Sequence, residues 1–419
     1  MQIKQTLVQP ESTVLIRSFY KKNSPTGHSM FQGNKGEMWW VSEDELWIGL
    51  GDVATNGQLY KIFRTVFFNF KDRWPAQLML DAQHFDLGQL ESIVNGIIIG
   101  GYDIQLYKSK RKPMSPFFGE AGHLHILVPT ISQEVNQSIA LAQKIAAIQN
   151  RVMDLMNAPG NYVTPEYLAN WAKESGETNQ YAVKIIEKEE LETIGADALL
   201  AVSKGSARRP VMIVNTYTPK HYTKTIALVG KGVTFDTGGI SIKGAQNMHL
   251  MKSDMGGAAA VLGVLELVAQ MNMPVRVIGI VPATENAVDG LSMKPGDVIG
   301  SYSGKTIEVI DTDAEGRLIL ADGLNYAVKQ FQPDILIDLA TLTGSVIHTL
   351  GYEAAGLFTH NDALADALVQ AGELTGERLW RLPLWDSYAG EIESDIADVK
   401  NHHGKPLAGA IVAAKFLEV

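Results

Sequence analysis

Seven consecutive residues, Asp311-Thr312-Asp313-Ala314-Glu315-Gly316-Arg317, set three carboxylates and a guanidinium side by side. Like charges packed this closely are costly in a compact fold, so the segment is either a solvated acidic turn or a place where cations sit between the carboxylates. A second cluster lies upstream, where Lys231, Asp236, Lys243 and Asp254 are scattered through a glycine-rich run. Together the two segments supply Asp236, Asp254, Asp313 and Glu315 as oxygen ligands and Lys231 as a nitrogen ligand. The glycines allow close backbone approach and unusual dihedrals. Oxygen-rich ligation without Cys or His suits Mg²⁺ or Mn²⁺, while a lysine nitrogen pulls the preference toward Zn²⁺ or Mn²⁺. Lysine ligates only when neutral, and adjacent divalent charge drives that deprotonation.

Both clusters follow strand-like runs, residues 226–229 before the first and 306–310 before the second. In an open α/β sheet, ligands bind beyond the carboxyl ends of the strands, so two such loops can meet at one site. Around them, strand-like runs at 211–215, 225–229, 275–281, 306–310 and 335–339 alternate with helical patterns at 257–271 and 318–331. Such alternation predicts a mostly parallel or mixed central sheet flanked by helices. Residues 1–130 mix short strands (38–41, 46–50) with a helix-like stretch at 59–67, which predicts a smaller α/β domain. From 131 to 156 the apolar stripe Leu141, Ile145, Ile148, Val152 and Leu155 has helical spacing, with Thr130 and Gln133 placed for a capping box. The expected organisation is α/β in two domains: an N-terminal one over 1–130, a linker helix over 131–156 and a larger catalytic domain over 157–419.

Length and composition set the outer bounds. At 419 residues the chain can build two sizeable cores, and its formal net charge of −10 disfavours a nonspecific nucleic-acid binder. The basic run Lys108-Ser109-Lys110-Arg111-Lys112 reads as a solvated loop, and His123 and His125, on one side of a strand without a carboxylate partner, read as structural. Cysteine is absent, so no disulfide or thiolate metal site is available. The residues after Met1 lack the apolar core of a signal peptide, and no run of about 18 apolar residues occurs. A soluble cytoplasmic protein without membrane contact is the expectation.

The two clusters resemble the signature of the leucyl aminopeptidase (cytosol aminopeptidase) family of two-metal exopeptidases. The resemblance continues through Thr284-Glu285-Asn286, Lys294-Pro295-Gly296-Asp297, Thr341-Leu342-Thr343-Gly344, Leu382-Pro383-Leu384-Trp385 and Ala408-Gly409-Ala410-Ile411. It spans most of residues 151–419 and is weak before them. It implies a metal-dependent aminopeptidase acting on short peptides with leucine-like N-terminal residues preferred. One divalent metal, Zn²⁺ or Mn²⁺, would be held by Lys231, Asp236, Asp254 and Glu315, and a second by Asp236, Asp313 and Glu315. By the same resemblance a metal-bridged water attacks, Lys243 stabilises the oxyanion, and Arg317 positions a bicarbonate base. Met251, Thr341, Leu342 and Gly344 would line the pocket for the N-terminal side chain, and the assembly would be a homohexamer, a dimer of trimers. The family's acidic motif begins with Asn where this chain has Asp311, which alters metal preference or exchanges one loop cap for another. The chain stops soon after residue 417, earlier than family members do, and the last elements of the catalytic domain are expected to be missing.

Other chemistries fit less well. Gly230-Lys231-Gly232 lacks the spacing of a phosphate-binding loop, and no H-E-x-x-H pair is present. A two-metal phosphoesterase usually adds histidines near such carboxylates, and none lie near these motifs. A reading of a different kind is a DNA-binding or scaffold oligomer.

Overall fold

The structure, a computed structural model, describes residues 1–25, 30–52 and 54–419. The chain divides into two compact units, Met1–Asn150 with Asn361–Trp380, and Arg151–His360 with Arg381–Val419.

The first unit is built on strands β1 (Gln2–Thr6), β2 (Val14–Tyr20), β3 (Met38–Ser42) and β4 (Glu45–Gly51), helix α1 (Asn56–Asn69), β5 (Gln77–Asp81), α2 (Leu87–Gly100) and β6 (His123–Leu127). The strands form one sheet in the order β1-β6-β5-β2-β4-β3, parallel except for β3. Period-2 alternation turns Ile16, Ile48, Leu80 and Ile126 to the side where Leu59 and Phe63 of α1 and Ile93 and Ile97 of α2 pack; all eight are buried. Burying each such side chain contributes about 1.5–3 kcal/mol. Capping boxes at Thr55/Gln58 and Asp86/Gln89 start the two helices. His123 and His125 stack with ring centroids 6.1 Å apart, and His125 Nε2 lies 3.1 Å from Gln77 Oε1. Helix α3 (Gln133–Asn157) follows, and the boundary between the units falls inside it. Its cap is not the expected Thr130 pair: Ser132 Oγ accepts from Val135 N at 3.3 Å.

The second unit continues with α4 (Pro165–Asn179), β7 (Ala182–Ile186), α5 (Lys188–Ile194), α6 (Asp197–Ser203), β8 (Val211–Tyr217), β9 (Thr225–Gly230), β10 (Gly232–Asp236), α7 (Gly256–Gln270), β11 (Arg276–Asn286), β12 (Val298–Ile299), β13 (Ile307–Glu308), α8 (Glu315–Phe331), β14 (Ile335–Leu339) and α9 (Gly344–Leu350). After it in the chain come β15 (Ala355–Leu357), then α10 (Asp362–Thr375) and β16 (Leu379–Arg381), of which α10 and all of β16 but Arg381 belong to the first unit, and then β17 (Val399–Lys400) and α11 (Gly409–Glu418). The central sheet runs β14-β9-β11-β8-β7, with β10 also on β11. It is mixed: β14, β9, β10 and β11 are parallel, whereas β8 is antiparallel to both of its neighbours. Helices α7 and α8 bury Val261, Leu262, Leu265, Leu318, Ile319 and Leu320. The expected α/β class with a mixed, helix-flanked sheet and a smaller N-terminal α/β domain is therefore the observed one.

Two local expectations are corrected. Residues 306–310 do not form a strand of the central sheet: only Ile307–Glu308 is extended, in a small sheet of order β12-β13-β17. Helix α8 starts at Glu315 rather than Leu318, so Glu315 and Arg317 sit in its first turn. The alternation of Ile307, Val309 and their neighbours resembles a long strand, but Asp311 to Ala314 must leave the sheet to turn into α8. Farther along α8, buried Asp322 accepts from Leu199 N at 2.9 Å and Tyr302 N at 2.8 Å, and burial pushes its carboxyl up to about 7. Among the described residues no helix is long and apolar enough to cross a membrane.

Candidate metal centre

Lys231 lies where β9 gives way to β10, both paired with β11. Between the paired residues Ile280 and Ala283, β11 carries Pro282, which has no N–H to offer a ladder. At this break Lys231 N donates to Leu339 O of β14 at 2.9 Å, and its carbonyl accepts from Ala258 N of α7 at 2.9 Å. Fixed in this way, the buried side chain reaches three oxygens: Asp254 Oδ2 at 2.6 Å, Glu315 Oε1 at 2.9 Å and Thr341 O at 3.1 Å. Gly316 leaves room for it, because a Cβ there would lie 2.5 Å from Lys231 Cε.

Asp236 closes β10. Its Oδ1 accepts from Gly238 N and Asn286 Nδ2, each at 2.9 Å, and its Oδ2 lies 2.7 Å from Lys243 Nζ. Lys243 also ion-pairs Asp313. Gly238, at φ +87, takes a left-handed turn and its carbonyl accepts from Thr312 Oγ1 at 2.7 Å, while Thr312 Oγ1 accepts from Ser241 N at 2.8 Å. Thr312 thus ties the two ligand-bearing loops together. Asp254 lies just before α7, and its Oδ1 accepts from Thr341 Oγ1 at 2.6 Å.

The structure thus brings Lys231, Asp236, Lys243, Asp254, Asp313 and Glu315 into one cluster, with carboxylate oxygens of Asp236, Asp313 and Glu315 within 4.8 Å of one another. Arg317 lies in the first turn of α8, buried, with Nη1 donating to Asn401 O at 2.8 Å and Nε without a partner. Met251 joins through its carbonyl, which accepts from Asp254 N at 3.3 Å. Thr341 meets the cluster directly, Leu342 packs against the apolar core, and Gly344 begins α9 in open space. Asp311 acts as a loop cap, its Oδ1 accepting from Asp313 N at 2.9 Å. Two contributors carried no role in the sequence. Asn286 Nδ2 reaches Asp236, Thr312 O and Glu315, and Asn401 contacts the acidic loop through both ends of its amide. Neutral asparagines leave no charge signal by which to find them.

The electrostatics suit a cation. Four carboxylates face two ammoniums, so full ionisation leaves two negative charges unbalanced in a mostly buried pocket. Burial, opposed by Lys231 and helped by Glu315 and Asp236, pushes Asp254 up to about 7. Burial likewise pushes Asp313 up to about 6 against its bond to Lys243, and raises Glu315. For Lys231, burial works downward but Asp254, Glu315 and Asp236 outweigh it and hold the ammonium above its usual range. Asp236 and Asp313 do the same for Lys243. Burial lowers Arg317 to about 10, still charged at neutral pH. Hard oxygen donors with excess negative charge and a short separation are the donor set that divalent cations require, and the residues fit two of them.

A model of the cytosol aminopeptidase family's catalytic domain matches residues 150–419. The chain belongs to the cytosol aminopeptidase family. Among relatives of that family, a "Probable cytosol aminopeptidase" of Chlorobium limicola is 47% identical over 333 residues, covering 78% of this chain and 66% of that one. Another, of Chlorobaculum tepidum, is 54% identical over 275 residues, 65% of this chain and 54% of that one. The chain thus matches between about half and two thirds of the length of these curated relatives. A solved structure, "Bottromycin maturation enzyme BotP in complex with Mn", superposes with a TM-score of 0.86 at 31% identity, covering 97% of this chain and 89% of that one.

For this family member the raised carboxyls fix the sign of a pH effect. Folded Asp254 and Asp313 keep protons to about 7 and about 6 that the unfolded chain releases near 3.8. The contribution of these two groups to metal-free stability is therefore fully present below about pH 4 and is lost as pH rises through 6 and 7. Metal binding demands deprotonated ligands and reverses the slope. Melting curves between pH 5 and 8, in EDTA and in Mn²⁺, should diverge as pH rises; parallel curves would contradict this account.

Proposed function

We propose that this chain is a metal-dependent aminopeptidase that releases N-terminal residues, leucine-like ones preferred, from short peptides. The observation that carries this reading is the convergence of Asp236, Asp313 and Glu315 within 4.8 Å beside the Lys231–Asp254 pair. Family membership and a manganese-bound structural neighbour support it. In this reading Lys231, Asp236, Asp254 and Glu315 hold one divalent cation, Zn²⁺ or Mn²⁺, and Asp236, Asp313 and Glu315 hold the other. Two cations held there would supply a water of lowered pKa and polarise the scissile carbonyl, chemistry that would permit amide hydrolysis without a nucleophilic side chain.

The protein's own groups do the rest. To hold a cation, Lys231 and Asp254 would have to be deprotonated. The Lys243 ammonium, which lies between Asp236 and Asp313 where a cation competes for the same oxygens, donates to the oxyanion of the tetrahedral state. The unpartnered Nε and planar fork of Arg317 suit an anion such as bicarbonate, serving as general base. Met251, Thr341, Leu342 and Gly344 border the N-terminal side chain; a methionine there adapts to varied apolar groups. The reading carries with it an N-terminal domain over 1–130, a linker helix over 131–156, a catalytic domain from 157, a cytoplasmic homohexamer, and peptides rather than nucleic acid as partners.

One preparation tests it. Protein stripped with EDTA and resupplied with Mn²⁺ or Zn²⁺ is expected to release p-nitroaniline from a leucyl anilide faster than from a lysyl one, with no release in EDTA. Absence of release with either metal rejects the reading. Sedimentation of the same sample gives the oligomeric state.

A further inference from the structure

We propose that Asn401 is a positioning residue of the metal centre, a brace that fixes the acidic loop and aims Arg317. This rests on the aminopeptidase reading above. Asn401 is fully buried and follows β17, whose pairing with β13 is secured by Asn401 N donating to Glu308 O at 2.9 Å. Its side-chain oxygen accepts from Ile310 N at 2.8 Å and Asp311 N at 3.3 Å. Its amide nitrogen donates to Asp311 O at 2.7 Å and Ala314 O at 3.4 Å. Its main-chain carbonyl accepts from Arg317 Nη1 at 2.8 Å.

Each bond has a consequence for the site. Residues 310–314 belong to no helix or strand, so no regular ladder fixes Asp313 or the entry into Glu315. The Asn401 amide adds to the order that Thr312 and Asn286 give, its oxygen accepting from the amides of Ile310 and Asp311 and its nitrogen donating to the carbonyls of Asp311 and, at the far end of the loop, Ala314. Only an asparagine-sized primary amide does both from one point. Arg317 has the Asn401 carbonyl as its one hydrogen-bond partner among the described residues, so that carbonyl sets the direction of its fork. One residue, some ninety positions downstream in sequence, thereby fixes the spacing between the guanidinium and the carboxylates of Asp313 and Glu315. Supports of this kind commonly cost about 10- to 100-fold in metal affinity or activity when removed.

The test compares Asn401→Ser with Asp398→Asn in the full chain. Asp398 secures the same small sheet, accepting from Thr306 N at 2.7 Å and Thr306 Oγ1 at 2.8 Å, but does not touch the acidic loop. Mn²⁺ is titrated calorimetrically into each EDTA-stripped protein, and kcat and KM for the leucyl anilide are then measured at saturating Mn²⁺. N401S is expected to weaken Mn²⁺ binding about 10-fold or more and to lower kcat with KM within about twofold. D398N is expected to lower the melting temperature alone. Binding and kcat of N401S within about twofold of the parent would overturn the brace, as would D398N reproducing the N401S losses. Should N401S not fold, Asn401→Thr fills more of the space and is judged by the same criterion. A parent protein that binds no Mn²⁺ rejects the aminopeptidase reading itself, whereas a parent that binds with N401S matching it rejects only the brace.

Discussion

Glu315→Gln abolishes metal-stimulated leucyl-anilide release and leaves the fold intact; this is the largest effect expected of any single substitution. Glu315 is almost wholly buried, with Oε1 2.9 Å from Lys231 Nζ and Oε2 3.4 Å from Asn286 Nδ2. In the proposed site it touches both cations. Glutamine keeps the volume but removes the charge and turns one oxygen into a donor among donors. Losses above the roughly 100-fold typical of supporting residues are expected in both Mn²⁺ affinity and release rate. Metal-free stability should respond differently. The cluster carries more carboxylates than ammoniums, and Lys231 keeps Asp254 at 2.6 Å and Thr341 O at 3.1 Å. The E315Q melting temperature in EDTA is therefore expected to equal or exceed that of the parent. Retained peptidase activity would refute the assignment, and a collapse of the metal-free fold would show that Glu315 is structural first.

Lys243→Ala is expected to lower kcat by about 10²- to 10³-fold while changing KM little, the range seen when one oxyanion donor is lost. In the proposed reading its ammonium would contribute to the transition state and not to ground-state binding, so the loss would belong in kcat. Its effect on metal-free stability has the opposite sign to that of E315Q, because Lys243 is the cation nearest both Asp236 and Asp313. Without it the carboxylates repel one another unscreened, and the K243A protein should melt lower than the parent in EDTA and recover in Mn²⁺. Lys243→Arg keeps the charge and is expected to restore the EDTA melting temperature more than the rate. An unchanged kcat in K243A would remove Lys243 from the oxyanion role.

Much of the candidate site was legible in the sequence because its members are charged. Carboxylates and lysines in short glycine-rich loops after strand-like runs are conspicuous, and Lys231, Asp236, Lys243, Asp254, Asp313 and Glu315 do converge. The expected route of convergence was partly different. The first cluster was expected in a loop after the strand at 225–229, but Gly232–Asp236 forms the further strand β10; the second enters from the small sheet containing β13, and its glutamate opens α8 instead of preceding it. Placing Glu315 in the first turn of a helix sets its carboxylate in the favourable field of the N-terminus. Period-2 alternation around Ile307 and Val309 could not tell a strand of the main sheet from a two-residue bridge, since both bury the same side chains.

The sequence by itself determined the α/β class and the donor atoms available to a cation. Those follow from local pattern and side-chain chemistry, which do not depend on distant contacts. Only the tertiary structure decided which way Arg317 points, that Thr312 and Asn286 join the loops, and that Asn401 holds the acidic turn. The physical reason is that each of these hydrogen bonds has at least one uncharged partner, some 26 to 90 residues away in sequence. Such bonds depend on direction and burial, and neither property is carried by residue type or spacing.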